Sequence, residues 1–153
     1  MTRSEIISQL KNYFRIEELV CPHTFDKFGD KSWQFLDTEM LHTLLVLRAE
    51  ILCVPMVIND YIFGGKNTQR GLRCNICQLV KDKTKKNQIY LSAHCNGAGT
   101  DAVFGVKTGM TAEKARQLIK EKQDLLPYNI RIEKDVIWLH FDCYDIGIKV
   151  AEF

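Results

Sequence analysis

The sequence predicts an α+β fold, a mainly antiparallel sheet with helices packed on one face. Three observations carry that prediction. Residues 37–52 place apolar side chains at helical spacing. Residues 130–133 and 136–143 alternate apolar and polar in the manner of paired strands. No repeat, linker or low-complexity stretch divides the 153 residues, a length that suits one domain with a core of its own, so 1–153 reads as a single unit.

In chain order, Thr2 and Glu5 have capping-box spacing, and Ile6, Ile7, Leu10 and Phe14 follow at helical intervals, which predicts a short N-terminal helix. Residues 20–32, with Pro22, Gly29 and scattered polar groups, read as a loop. The clearest helix starts at Asp37 as N-cap and runs to Leu52, with Met40, Leu41, Leu44, Leu45, Leu47 and Ile51 on a face broad enough for a central helix. Pro55 ends it and Met56-Val57-Ile58 begins a strand. Residues 64–89, with Gly64-Gly65 and a lysine-rich run from Lys81, read as a solvated flap between strand-like Val57-Ile58 and Tyr90-Leu91. Ala102-Val103-Phe104 reads as a strand, and Thr111 caps a helix through Lys120 with Glu113 at its positive end. Ile130 to Glu133 and Val136 to Cys143 are two strands joined by a Lys134-Asp135 turn.

Hydrophobic content of 46% and charged content of 26% exclude a disordered chain. A net charge of +2 is too small to argue for nucleic acid, and no apolar run is long enough to span a membrane or serve as a signal peptide. The expectation is a cytoplasmically made monomer whose six cysteines stay reduced.

The chemistry lies in two short stretches, Ser92-Ala93-His94-Cys95-Asn96-Gly97-Ala98-Gly99-Thr100-Asp101 and Trp138-Leu139-His140-Phe141-Asp142. Imidazole and carboxylate are ligands of hydrolytic zinc sites, which use three protein ligands and keep a fourth position open. His94 and Asp101 flank a glycine-containing loop that can fold back so that its ends meet at one ion. Strand alternation puts Trp138, His140 and Asp142 on one face and Ile137, Leu139, Phe141 and Cys143 on the other, the core face. Asp142, roughly 7 Å from His140 along the strand, could orient the imidazole, take a proton from activated water or face solvent.

Ser-x-His-x6-Asp followed by a hydrophobic strand with His-x-Asp resembles the zinc peptidases of family M15. These are D-alanyl-D-alanine carboxypeptidases and peptidoglycan endopeptidases, phage lysins among them, and they share a fold with the amino-terminal signalling domain of hedgehog proteins. Phe14-Arg15-Ile16-Glu17-Glu18-Leu19-Val20-Cys21 is similar to the family's opening segment, and Leu47-Arg48 with Pro55-Met56-Val57-Ile58-Asn59 to its long helix and first strand. Gly64-Gly65 and Thr68-Gln69-Arg70-Gly71-Leu72-Arg73 resemble a phage and gut-bacterial variant, so the resemblance covers most of residues 14–143.

The resemblance implies that His94, Asp101 and His140 hold Zn2+, and that Arg73, with Arg70 as runner-up, binds a substrate carboxylate. Ser92 is implied to bond substrate or a ligand. The reaction implied is hydrolysis of a peptide bond in peptidoglycan stem peptides or cross-links, outside the cell after phage lysis or delivery in a virion. One position departs from the pattern: many members carry an acid three residues before the last histidine, where this chain has Ile137. Asp142 ranks first as the base and Glu133 second, because a two-residue turn would pair Glu133 with Val136, about 13 Å from His140. A bulge or longer loop would change that register. Loss of the base would leave a catalytically inactive zinc-containing domain that binds cell wall or another protein.

Cys74-x-x-Cys77 is half of a structural zinc site that Cys53, Cys95 or His94 could complete as a clip on the 64–89 excursion; otherwise it is two reduced thiols in a loop. No second Cys-x-x-Cys is present for a nucleic-acid-binding finger. Cys95 is a poor partner for His94 in a nucleophilic dyad, since sequence neighbours on an extended segment point apart. Trp138 and Tyr144 are candidates to line a substrate groove.

Overall fold

The computed structural model describes residues 1–153 and has the α+β architecture. Helix α1 (Arg3–Leu10) begins at the capping box: Thr2 Oγ1 accepts from Glu5 N, and the Glu5 carboxylate accepts from Thr2 N at 2.7 Å. Residues 20–32 are not a loop. Helices α2 (Ile16–Leu19) and α3 (Pro22–Phe28) are followed by a 3-10 segment, Gly29–Phe35. The proline and glycine that suggested a loop are the punctuation of α3: Pro22 sits in its first turn, where no N–H is needed, and Gly29 ends it at φ 53°.

Helix α4 (Thr38–Val46) is capped by Asp37 Oδ1, which accepts from Glu39 N and Met40 N, and widens into a π turn over Leu47–Ile51. It is the centre of the core. Leu41, Leu44 and Leu47 are fully buried in one core with Leu10 of α1 and Ile119 of α6 (Ala112–Glu121), each such side chain contributing about 1.5–3 kcal/mol. Thr111 caps α6 by accepting from Lys114 N.

The four strands β1 (Gly99–Ala102), β2 (Ile130–Ile132), β3 (Leu139–Asp142) and β4 (Val150–Glu152) lie in the order β1-β3-β2-β4. β3 is antiparallel to both neighbours, and β4 joins β2 in parallel, so the sheet is mixed with an antiparallel centre. Leu139 and Phe141 face the helices and are fully buried.

Four local expectations change. The strand read over Ala102-Val103-Phe104 lies earlier, at Gly99–Ala102. Met56-Val57-Ile58 is not a strand: Val57 makes one antiparallel bridge to Val103, with reciprocal backbone bonds of 2.8 and 2.9 Å, just past the end of β1. Tyr90-Leu91 has no strand partner, and Leu91 is exposed. The 64–89 excursion is partly ordered by α5 (Gln78–Lys85), a helix none of whose residues is buried.

The turn between β2 and β3 also differs. Residues 133–138 lie outside the strands, with Asp135 in the left-handed region at φ 59°, a conformation aspartate tolerates. The register pairs Ile132 with Phe141, and Glu133 N donates to His140 O at 3.4 Å. Glu133 is therefore next to His140 in the ladder, not four residues away. Arg116 explains the longer loop: its guanidinium, 4% exposed, donates to the carbonyls of Glu133, Val136 and Trp138 at 3.0–3.3 Å.

Candidate metal centre

The β1–β3 register makes Asp101 and His140 direct cross-strand partners. The loop before β1 brings in the third group. Ser92 Oγ accepts from His94 N, Ala98 N bonds back to Ala93 O, and Gly97 turns the chain at φ 68°, where a Cβ would collide with the Phe35 carbonyl oxygen. His94 Nε2 then lies 3.3 Å from Asp101 Oδ2, and His140 Nδ1 lies 2.7 Å from Asp101 Oδ1. One ligand atom from each of the three residues falls within 4.8 Å of the others, and the group can hold a metal ion.

The remaining ring nitrogens are committed elsewhere. His94 Nδ1 is 2.9 Å from the Gly71 carbonyl, which only accepts, so that nitrogen donates to it and Nε2 is the ring atom aimed at Asp101 and the centre. Gly71 is itself required, since a Cβ there would strike the Leu19 carbonyl oxygen. His140 Nε2 is 3.2 Å from Asp142 Oδ2, leaving Nδ1 facing the centre. An acceptor behind each ligating imidazole is how metal sites fix ring orientation and tautomer, so the donor set fits a bound divalent ion.

Asp142 has little capacity left. Oδ1 accepts from Arg131 Nε at 2.9 Å and Tyr144 N at 3.1 Å; Oδ2 accepts from Arg131 Nη2 at 2.9 Å and His140 Nε2. Its carboxylate is 1% exposed. Burial alone would raise its pKa, but the bonds from His140, Arg131 and Tyr144 hold it below the usual range. The same contest is stronger at Asp101: burial works against the charge, and the two histidines outweigh it and hold the carboxyl well below normal. His140 answers in the opposite sense. Burial disfavours the imidazolium, yet Asp101 and Asp142 together raise its pKa to about 9 in the metal-free protein.

A cleft of about 290 Å³ opens over this group, lined by Arg73, Ser92, Glu133, Trp138 and Tyr144 among others. Glu133 is half-buried there, its Oε2 accepting from Trp138 Nε1 at 3.3 Å. Ile137, expected on the core face and standing where the resemblance led to an acid, is instead 89% exposed and outside the cleft, because it lies in the loop before β3. Arg73 donates to Tyr90 Oη at 2.6 Å, to Gln69 O at 2.5 Å and to Asp101 Oδ2 at 3.3 Å. Arg70 acts through its backbone instead: its carbonyl accepts from Asp101 N at 2.8 Å and Thr100 Oγ1 at 3.2 Å, and its side chain is not among those lining the cleft.

Sequence reasoning missed Arg131, Tyr90, Phe153 and the Gly71 carbonyl. Arg131 lies across from Asp142 in the β2–β3 register, and its guanidinium stacks on Tyr144 and Phe153 at 5.2 and 4.7 Å. An arginine on a strand opposite the carboxylate of His-x-Asp is a signal that strand pairing could have exposed. For Cys74 and Cys77, the neighbours are Cys21 and His23, not Cys53, Cys95 or His94. Cys53 is exposed at the end of the π turn and bonds to Ala49 O.

No protein-family model, curated protein or solved structure matches the chain.

Proposed function

We propose that the protein is a zinc-dependent peptidase that hydrolyses a peptide bond in peptidoglycan stem peptides or cross-links. The observation that carries this reading is the convergence of His94 Nε2, Asp101 and His140 Nδ1 beside an open cleft, with an acceptor behind each imidazole. Two imidazoles and one carboxylate are the composition of hydrolytic zinc sites, whereas closed structural sites use four ligands rich in cysteine. A zinc ion held there supplies Lewis acidity to a carbonyl and lowers the pKa of water toward ~7.

The protein's own groups divide the remaining work. Glu133 is the general base: Trp138 Nε1 holds Oε2, and Oε1 accepts the proton of the attacking water. The water oxygen adds to the carbonyl carbon, the C–N bond breaks, and the proton passes from Glu133 to the leaving amine. Asp142, ranked first for this task on sequence, is better suited to orienting His140, because Arg131, Tyr144 and His140 already occupy its oxygens. Arg73 offers planar donors to a D-amino-acid carboxylate or an acidic stem group, and Ser92 shapes the loop that carries His94.

The rival reading, an inactive zinc-containing module that binds wall or protein, rests on Ile137; Glu133 beside the cleft weighs against it. Mass spectrometry of muropeptides digested with and without chelator tests the proposal. New, chelator-sensitive products whose masses sum to the substrate plus one water support it and identify the bond. Zinc-loaded protein that leaves every muropeptide intact favours the inactive module.

A further inference from the structure

Cys21, His23, Cys74 and Cys77 converge outside the cleft, on two segments that the backbone zips together. Val20 and Leu72 form a parallel bridge, Leu72 N bonds to Leu19 O at 2.9 Å, and Cys21 N bonds to Leu72 O at 3.0 Å. Pro22 starts α3 one residue after Cys21, which sets His23 in its first turn. On the other segment, Cys77 N donates to Cys74 O at 3.1 Å, closing the Cys-x-x-Cys turn immediately before α5.

The separations are those of tetrahedral coordination. Cys74 Sγ lies 3.8 Å from Cys77 Sγ and 3.6 Å from His23 Nδ1; Cys77 Sγ lies 3.8 Å from His23 Nδ1. An ion with Zn–S of about 2.3 Å and Zn–N of about 2.0–2.1 Å separates two sulfurs by about 3.8 Å and sulfur from nitrogen by about 3.6 Å. All four ligand atoms lie within 4.8 Å of one another, and none of the cysteines is in a disulfide.

The segment also needs a tether. Helix α5 has eight residues, none fully buried, with only Leu79, Val80 and Lys83 half-buried, and a helix of that length is marginal by itself. Its N-cap is Cys77, one of the converging thiols. We propose that Cys21, His23, Cys74 and Cys77 bind a second zinc ion in a closed Cys3His structural site that ties residues 74–85 to α3. The site stands independently of the hydrolytic reading, although Cys74 follows Arg73 directly and the tether steadies that arginine.

The test uses the full chain expressed with added zinc and purified in reducing buffer. Zinc per chain is counted for the wild type, for His94→Ala/His140→Ala and for Cys74→Ser/Cys77→Ser, and each protein is reloaded with cobalt. The proposal predicts one zinc retained by the histidine variant, with an intense near-ultraviolet thiolate-to-cobalt band. That band is absent from the cysteine variant, in which trypsin also cuts the 81–86 lysines faster. If the cysteine variant does not fold, exposed His23→Gln replaces it, with a weakened and shifted cobalt band expected. A histidine variant with neither zinc nor a thiolate band overturns the proposal. A single wild-type zinc that survives loss of His94 and His140 upholds this site and removes the metal from the cleft.

Discussion

Asp101 and His140 face each other across β1 and β3, with Oδ1 and Nδ1 2.7 Å apart, so sheet pairing itself delivers two of the three candidate ligands to one point. A metal entering there replaces a proton shared between them. That exchange has a pH signature.

In the metal-free protein the His140 pKa is raised from an ordinary 6.5 to about 9. A raised histidine pKa means that its contribution to stability is fully present below pH 6.5 and lost as pH rises through about 9. Metal binding needs the neutral imidazole, so affinity moves the other way. Zinc affinity at this centre, followed by imidazole NMR signals, should strengthen by up to about tenfold per pH unit across that window while metal-free thermal stability falls. A flat affinity profile would remove the proton from the account.

Asp142→Asn separates an orienting carboxylate from a base. The fold should survive, zinc affinity at the cleft should drop by about 10–100-fold, and excess zinc should restore most of the turnover. Turnover that stays lost at saturating zinc would return Asp142 to the role of base.

Arg116 holds the loop that presents Glu133 and Trp138 through three carbonyls. Arg116→Ala leaves those carbonyls unpaired and should cost about 2–3 kcal/mol in denaturant unfolding. Turnover of the still-folded variant should fall with zinc content unchanged; an unaffected rate would show that the loop needs no clamp.

Arg73→Lys keeps the charge and loses the planar fork. For a substrate with a free carboxylate, KM should rise about tenfold, equivalent to about 1.4 kcal/mol, with kcat little changed. An unchanged KM would place carboxylate recognition elsewhere, Arg131 being the next guanidinium in the cleft.

Local chemistry was legible in the sequence and long-range chemistry was not. The Thr2–Glu5 box and the Asp37 and Thr111 caps depend on residues within one turn and appear where their spacing put them. The grouping of His94, Asp101 and His140 is the long-range exception: the family resemblance implied it, while the β1–β3 pairing that brings Asp101 to His140 was not read from the residues. The position of Glu133 in the ladder was not readable, because the 133–138 loop is held by Arg116, seventeen residues upstream on a helix. The partners of Cys74 and Cys77 escaped notice for a similar reason: Cys21 and His23 lie in a segment whose proline and glycine read as a loop, although they bound a helix.

Glu133→Gln, assayed at saturating zinc on a muropeptide the wild type cleaves, decides whether Glu133 is the base. The substitution keeps the shape and the acceptor for Trp138 while removing the base. Zinc per chain should be unchanged and kcat lower by about 10²–10⁴-fold. Turnover at the wild-type rate with the metal in place would contradict that role.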